Sequence, residues 1–249
     1  CDRPHLYPPD FDAQAVERVR SQVERHGLKI TNLNCFTLFA VGDTYLPSWI
    51  ESDPQRRAIR VRHTLDCIEI AARLGCGNIS IPPGGPLENM DRIEALNLFA
   101  DGLEQVIPKA QRNGVRLLVE PEPGLLIENS AQFRELKAIV PADIVGLNFD
   151  IGHFYCVGED PGTAFEELHA WIGHVHLEDI ATDRVHRHLI AGRGGIDFEA
   201  LFTTMARKPY AGDICLELYP YTDTPFEAGR ESLEYLAPIF ARSGLILDR

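Results

Sequence analysis

The chain has 249 residues, 45% of them hydrophobic and 24% charged, and a formal net charge of −13 at pH 7. That length fits one large α/β domain with an ample core, and no apolar run approaches the roughly 20 residues needed to span a bilayer. So acidic a chain argues against nucleic acid and anionic membranes as partners, because both are bound through clustered Lys and Arg.

The chain opens without Met in a Pro-rich loop, Cys1 to Pro9, that feeds a helix over Phe11 to His26. There Phe11, Ala15, Val19 and Val23 recur every four residues, and Gly27 is the stop signal. Leu28 to Phe36 reads as a strand, followed by a loop from Thr37 to Pro54 rich in aromatic and turn residues. A second helix, Gln55 to Leu74, ends at Gly75 and Gly77. Asn78 to Ile81 is a short buried strand running into Pro82-Pro83-Gly84-Gly85, which no helix or strand continues. Asp91 caps a helix that reaches Asn113, and Gly114 stops it. Val115 to Val119 is apolar apart from Arg116, as expected of a strand covered on both faces. A helix over Ser130 to Ile139 follows. The strand signal returns at Ile144 to Phe149, Ile172 to Leu177 and Ile214 to Leu218, with helices near Thr163 to Ala170 and Phe198 to Ala206 between them. A last helix covers Phe226 to Ala241. No linker or composition shift divides the chain, so 1–249 reads as a single domain.

Alternating β and α elements imply a parallel sheet with right-handed crossovers. Polar residues stand at the C-terminal end of nearly every strand rather than at one switch point, which is the habit of a TIM (β/α) barrel. Six strands are counted where a complete barrel has eight. The expectation is therefore a barrel lacking its first β-α-β stretch in this sequence, with its two sheet edges either left as a gap or covered by another copy in a homo-oligomer.

Six cysteines are scattered with no C-x-x-C pair, so they read as reduced thiols buried as small hydrophobes. With no charged-then-apolar leader, this sets the expectation of a cytoplasmic protein. Cys156 lies just past a candidate ligand motif, yet its role reads as structural.

Four strand ends each deliver a metal-ligand side chain: Glu120 after Val115-Arg-Leu-Leu-Val119, Asp150 in Asp150-Ile-Gly-His153, His176 in His174-Val-His176-Leu-Glu178-Asp179, and Glu217 after Ile214-Cys-Leu216. The successive intervals of 30, 26 and 41 residues are each about one βα unit. Strand ends converge at a barrel mouth, so side chains a unit apart can meet around one ion. Three carboxylates and one imidazole suit Mn²⁺, Mg²⁺ or Co²⁺, with Zn²⁺ also accommodated. His174, two residues before His176 on the same strand face, reads as a supporting or core group.

These pieces, with Ala191-Gly-Arg-Gly-Gly-Ile-Asp197-Phe198, resemble the xylose isomerase-like TIM-barrel superfamily, in its sugar phosphate isomerase/epimerase and endonuclease IV-like branch. The resemblance implies a metal-dependent isomerase or epimerase acting on a sugar, ketose or sugar phosphate through a metal-stabilised enediolate. It also implies that Glu120 and Glu217 serve both as ligands and as the acid/base pair. His153 would hydrogen-bond a substrate oxygen, and Trp49 and Phe36 would wall the pocket. The segment from Arg184 to Gly194 has two readings: a mouth-lining loop with His188 or Arg193 reaching substrate, or a surface loop into a helix capped by Asp197. A dehydratase or lyase of the same fold is the alternative. An endonuclease IV-like phosphodiesterase would place a second metal at His153, His186 and His188, but two further family histidines are lacking near Phe36 and Ile81, and the charge fits DNA badly.

Overall fold

The structure, a computed structural model, describes residues 1–208 and 210–245; the expected domain limit at 249 falls outside them. Six strands form one parallel sheet in sequential order: β1 (Leu33–Asn34), β2 (Asn78–Ile81), β3 (Arg116–Val119), β4 (Val145–Asp150), β5 (Ile172–Leu177) and β6 (Ile214–Leu216). Among the described residues these six strands are accompanied by eight α-helices: α1 (Ala13–Arg25), α2 (Pro54–Leu74), α3 (Arg92–Asn113), α4 (Ser130–Ile139), α5 (Ile151–Cys156), α6 (Pro161–Leu168), α7 (Phe198–Arg207) and α8 (Pro225–Ser243). Helix starts follow the sequence chemistry closely. Asp12, Asp53, Asp91, Asn129, Asp160 and Asp197 each accept a backbone N–H from the first turn that follows.

The sheet curls as part of a TIM barrel, with β1 and β6 at its edges among the described residues. Side chains from the segment before β1 reach across to β5 and to the start of β6. Thr31 Oγ1 lies 3.2 Å from His174 Nε2, and Lys29 Nζ lies 3.0 Å from Asp213 Oδ2. The strand expected over Leu28 to Phe36 pairs only at Leu33–Asn34. Leu28 is 67% exposed, and Asn32 and the Thr31 carbonyl bond the side chains of Ser80 and Asn78 instead of a neighbouring backbone. β6 likewise stops at Leu216, short of the expected Leu218. The helix expected near Thr163 to Ala170 is α6 followed by a 3-10 turn over His169–Trp171.

Between sheet and helices lies an aromatic core that includes Phe99, Phe133, Phe149, Phe154 and Phe165. Trp49 belongs to it. The expectation that Trp49 walls the pocket is corrected: its ring is 1% exposed and meets Phe99 edge-on at 5.7 Å. A Cβ at Gly102 would sit 2.8 Å from the Trp49 ring, so only glycine lets α3 approach it this closely.

Replacing Trp49 with Ala should therefore cost about 3–5 kcal/mol of stability. Urea denaturation checks this; a weakened affinity for small molecules with stability unchanged would instead restore Trp49 to the pocket.

Candidate active site

Strand register sets the site. Asp150 on β4 pairs with His176 on β5, and His176 with Cys215 on β6. Glu217 follows β6 with its N–H on the Leu177 carbonyl, and Glu120 follows β3 with its N–H on the Ile81 carbonyl. The four side chains thus meet at the C-terminal rim, with one candidate ligand atom from each within 4.8 Å of the others. His176 Nδ1 stands 3.0 Å from Glu120 Oε1, 3.2 Å from Glu217 Oε2 and 3.7 Å from Asp150 Oδ2. Beneath them His174 Nδ1 donates to Asn148 Oδ1 at 3.0 Å, a supporting place rather than one at the rim.

The Asp150-Ile-Gly-His153 motif is a helix start. Asp150 Oδ1 accepts the His153 N–H at 2.9 Å and caps α5, which leaves Oδ2 facing His176. This short helix goes unread in the sequence because six residues offer too little periodicity. It turns His153 back over the rim, where Nδ1 donates to the Pro121 carbonyl at 2.8 Å and Nε2 faces Glu122 and Asp150 at 3.5 and 3.6 Å. Gly152 is required here: a Cβ would lie 2.0 Å from Glu178 Oε1, which accepts the Gly152 N–H.

Above the rim is a cavity of about 580 Å³, lined by Glu120, Glu122, His153, His186, His188 and Glu217 among others. Phe36 lines it too, edge-on to Tyr45 at 6.0 Å. His188 reaches it, with Nδ1 donating to the Glu217 carbonyl at 2.9 Å and Nε2 3.2 Å from His186 Nε2. His153, His186 and His188 form a second cluster of candidate ligand nitrogens. The expectation that Arg193 touches substrate is corrected. Its guanidinium makes two 2.8 Å bonds to Glu231 on α8, at the exposed surface and away from the cavity.

Electrostatics follow from burial and crowding. Burial alone would lower the His176 pKa, but Glu120 and Glu217 outweigh it and hold the imidazolium well above its usual range. His153 behaves alike: burial opposes its charge, Asp150 and Glu122 favour it, and the pKa rises to about 9. Burial, with Asp150 alongside, pushes the Glu178 carboxyl well above the usual carboxylate range. Glu122 rises to about 7, chiefly through burial. Sequence reasoning passed over both acids, although each continues a period of two from a named ligand: Glu120 to Glu122, and His176 to Glu178. Cys156, at the end of α5, is pushed up to about 11 by burial, which suits a structural thiol.

Asp179 was also missed as an organiser. Its buried carboxylate accepts N–H bonds from Ile180, Gly192, Gly194 and Ile196 at 2.8–3.2 Å, and its backbone pairs with Leu189. The segment carries His186 and His188 to the mouth and leads into α7, which Asp197 caps.

The profile of a family described as xylose isomerase-like TIM barrel matches residues 1–247. Among curated proteins, the inosose dehydratase of Bacillus thuringiensis (strain Al Hakam) is 28% identical over 161 residues, which are 57% of this chain and 54% of that protein. The inosose dehydratase of Lacticaseibacillus casei is 29% identical over 156 residues, 55% of this chain and 52% of that one. The matched stretch thus spans about half the length of these curated relatives. Among solved structures, a D-tagatose 3-epimerase-like protein superposes with a TM-score of 0.81 at 21% identity, covering 94% of this chain and 85% of that one. The IolI protein with a bound zinc atom gives 0.79 at 17% identity, covering 97% and 87%. At those identities the likeness is one of fold. No helix among the described residues is long and apolar enough to cross a membrane.

Asp179→Ala should free the 180–196 loop, since several buried amides lose one charged acceptor, at a cost on the order of 3 kcal/mol. Hydrogen exchange at Gly192, Gly194 and Ile196 should speed up sharply. Unchanged protection at these amides would show that the loop is held by other contacts.

Proposed function

The chain belongs to the xylose isomerase-like TIM-barrel family, and on that premise we propose that it is a divalent-metal-dependent isomerase or epimerase of a polyhydroxylated ketone. One observation carries the reading. Glu120 Oε2 and Asp150 Oδ2 are buried without a hydrogen-bond partner, beside the Glu217 carboxylate and the His176 imidazole. Unpaired buried carboxylate oxygens are costly, and a divalent cation is the partner that such a hard, mixed O/N donor set suits. Glu120, Asp150, His176 and Glu217 would hold it. Bound there, the ion supplies Lewis-acid polarisation of a substrate carbonyl and hydroxyl.

The remaining chemistry belongs to side chains. Glu120 and Glu217 approach the rim from different strands, so one can take the proton from the carbon beside the carbonyl while the other returns it to the opposite face. Ligation and base duty compete for the same carboxylates, so each glutamate would use one oxygen for each task. His153, charged and held by Pro121, donates from Nε2 to a substrate oxygen on which negative charge develops. Phe36 and Tyr45 exclude water on one side, and His188 and Tyr219 on another.

A second reading, dehydration, has its own observation. Glu122, raised to about 7 and 3.3 Å from the Tyr45 hydroxyl, is a cavity acid able to protonate a departing hydroxyl. The curated relatives act on inosose, a cyclic ketone of this class. Both readings share the first proton removal. Incubating the protein in D₂O with Mn²⁺ and a panel of ketoses and keto-cyclitols separates them. Deuterium in an epimer or isomer supports the main reading, a conjugated enone supports dehydration, and no exchange on any substrate rejects both.

Metal uptake should displace a proton from His176, because Glu120 and Glu217 hold that imidazolium well above its usual range in the metal-free protein. Calorimetry in buffers of different ionisation enthalpy should report about one proton released per ion at pH 7, with affinity falling as pH is lowered. Glu217→Gln should weaken metal binding more than about 100-fold and abolish turnover. Elemental analysis finding no metal on wild type supplied with Mn²⁺ would sink the assignment.

His153→Ala should keep the ion at the four-ligand site while kcat falls by roughly 10²–10⁴. His153 and His188 each donate from Nδ1 to a carbonyl, which turns Nε2 toward the cavity, where His153 would have to give up its Nε2 proton to become a ligand. If this variant loses a second equivalent of metal, these two histidines and His186 form a binuclear centre instead.

A further inference from the structure

Three cysteines that are far apart in sequence converge beside β1, outside the cavity described above. Cys1 lies in the N-terminal loop, Cys35 directly after β1, and Cys67 in the middle of α2. All are buried and free, and their sulfur atoms lie within 4.8 Å of one another. His63 precedes Cys67 by one helical turn and so shares its face of α2. Its Nε2 stands 3.5 Å from Cys67 Sγ.

We propose that Cys1, Cys35, Cys67 and His63 form a thiolate–imidazole metal site for a zinc-class cation, separate from the carboxylate site at the mouth. A tetrahedral Zn²⁺ with bonds of about 2.3 Å to sulfur and about 2.0 Å to nitrogen places sulfurs about 3.8 Å apart and nitrogen about 3.6 Å from sulfur. The His63–Cys67 spacing already meets that value; the three sulfurs, within 4.8 Å of one another, would contract by up to about 1 Å, and the His63 ring would swing in toward Cys1 and Cys35 as the ion binds. Sulfur-rich donors select a softer ion than the carboxylates of the mouth do.

The surroundings answer the requirements of such a site. Three thiolates and a dication leave one net negative charge, which needs a buried cation nearby. Arg60 is wholly buried, and its Nη1 donates to the carbonyls of Cys35 and Phe36 at 3.1 and 2.9 Å. Its Nη2 has no hydrogen-bond partner, so the guanidinium retains capacity toward the cluster. The sulfurs are also pre-positioned. The Cys35 N–H is bonded to the Ser80 carbonyl on β2, and the Cys1 loop is pinned by Asp2, which accepts from Phe39 and Ala40 N–H at 2.6 and 3.2 Å. His63 borders a surface pocket of about 320 Å³ beside Tyr7 and Asp66, which gives an ion a way in. Four protein ligands close the coordination sphere, so the ion would fasten the N-terminal loop, β1 and α2 together.

Titrating reduced, metal-free protein with Co²⁺ tests this, because only thiolate ligation gives an intense near-ultraviolet sulfur-to-cobalt band with strong tetrahedral d–d absorption. These bands should grow to about one equivalent. They should persist in Glu217→Gln and in Cys215→Ser, and vanish in Cys35→Ser and Cys67→Ser. Should those two variants fail to fold, alkylation of wild type mapped by mass spectrometry decides. Zn²⁺ should protect Cys1, Cys35 and Cys67 together and leave Cys215 reactive. Absence of the thiolate bands, or labelling of the three cysteines that is indifferent to Zn²⁺, overturns the proposal. So does a Cys35–Cys67 disulfide whose reduced form takes up no cobalt at sulfur.

Discussion

Glu120, Asp150 and Glu217 each direct a carboxylate oxygen at His176 Nδ1, from 3.0, 3.7 and 3.2 Å. Two carboxylates about 4 Å apart repel by about 4 kcal/mol at the effective dielectric of a protein surface, and this site adds Glu122 and Glu178 close by. Such a concentration of like charge survives only where something positive is shared among the oxygens. In the metal-free chain protons do this. His176 and His153 hold theirs above the usual range, and the Glu178 and Glu122 carboxyls are both pushed up, Glu122 to about 7. A divalent ion would take over the same task with one charge centre.

The scaffold that imposes this crowding is economical. Parallel strands in register bring Asp150, His176 and the approach to Glu217 side by side, and the same Asp150 carboxylate that faces His176 also starts α5. Backbone amides thus fix the orientation of a side chain whose charge is needed elsewhere. Glu178 does likewise, accepting the Gly152 N–H while lying against Asp150. Positioning and charge are therefore coupled, and a change at Gly152 would reach the rim without touching a rim residue.

Much of this was legible in the sequence because it depends on local rules. Capping aspartates, glycine stops and the strand-end placement of Glu120, Asp150, His176 and Glu217 all follow from spacing and side-chain chemistry. What escaped depends on tertiary placement. Trp49 and Arg193 were read as pocket residues from their chemical type, yet a buried neighbour at Phe99 and a surface partner at Glu231 decide where each goes. β1 is shorter than its hydropathy suggested because an edge strand has one ladder partner and its polar residues pair sideways. The cysteines are the clearest case. Their sequence spacing signals no metal, and only folding brings Cys1, Cys35 and Cys67 together.

The loop bound to Asp179 has a bearing on selectivity. Because one buried carboxylate anchors its amides, the side of the mouth that presents His186 and His188 is a rigid template. A rigid template fits one outline well and does not relax around a larger one. Groups of any ligand that face it would thus be sorted by shape. Latitude falls to the part of the cavity that Phe36 and Tyr45 line, where apolar surface makes few directional demands.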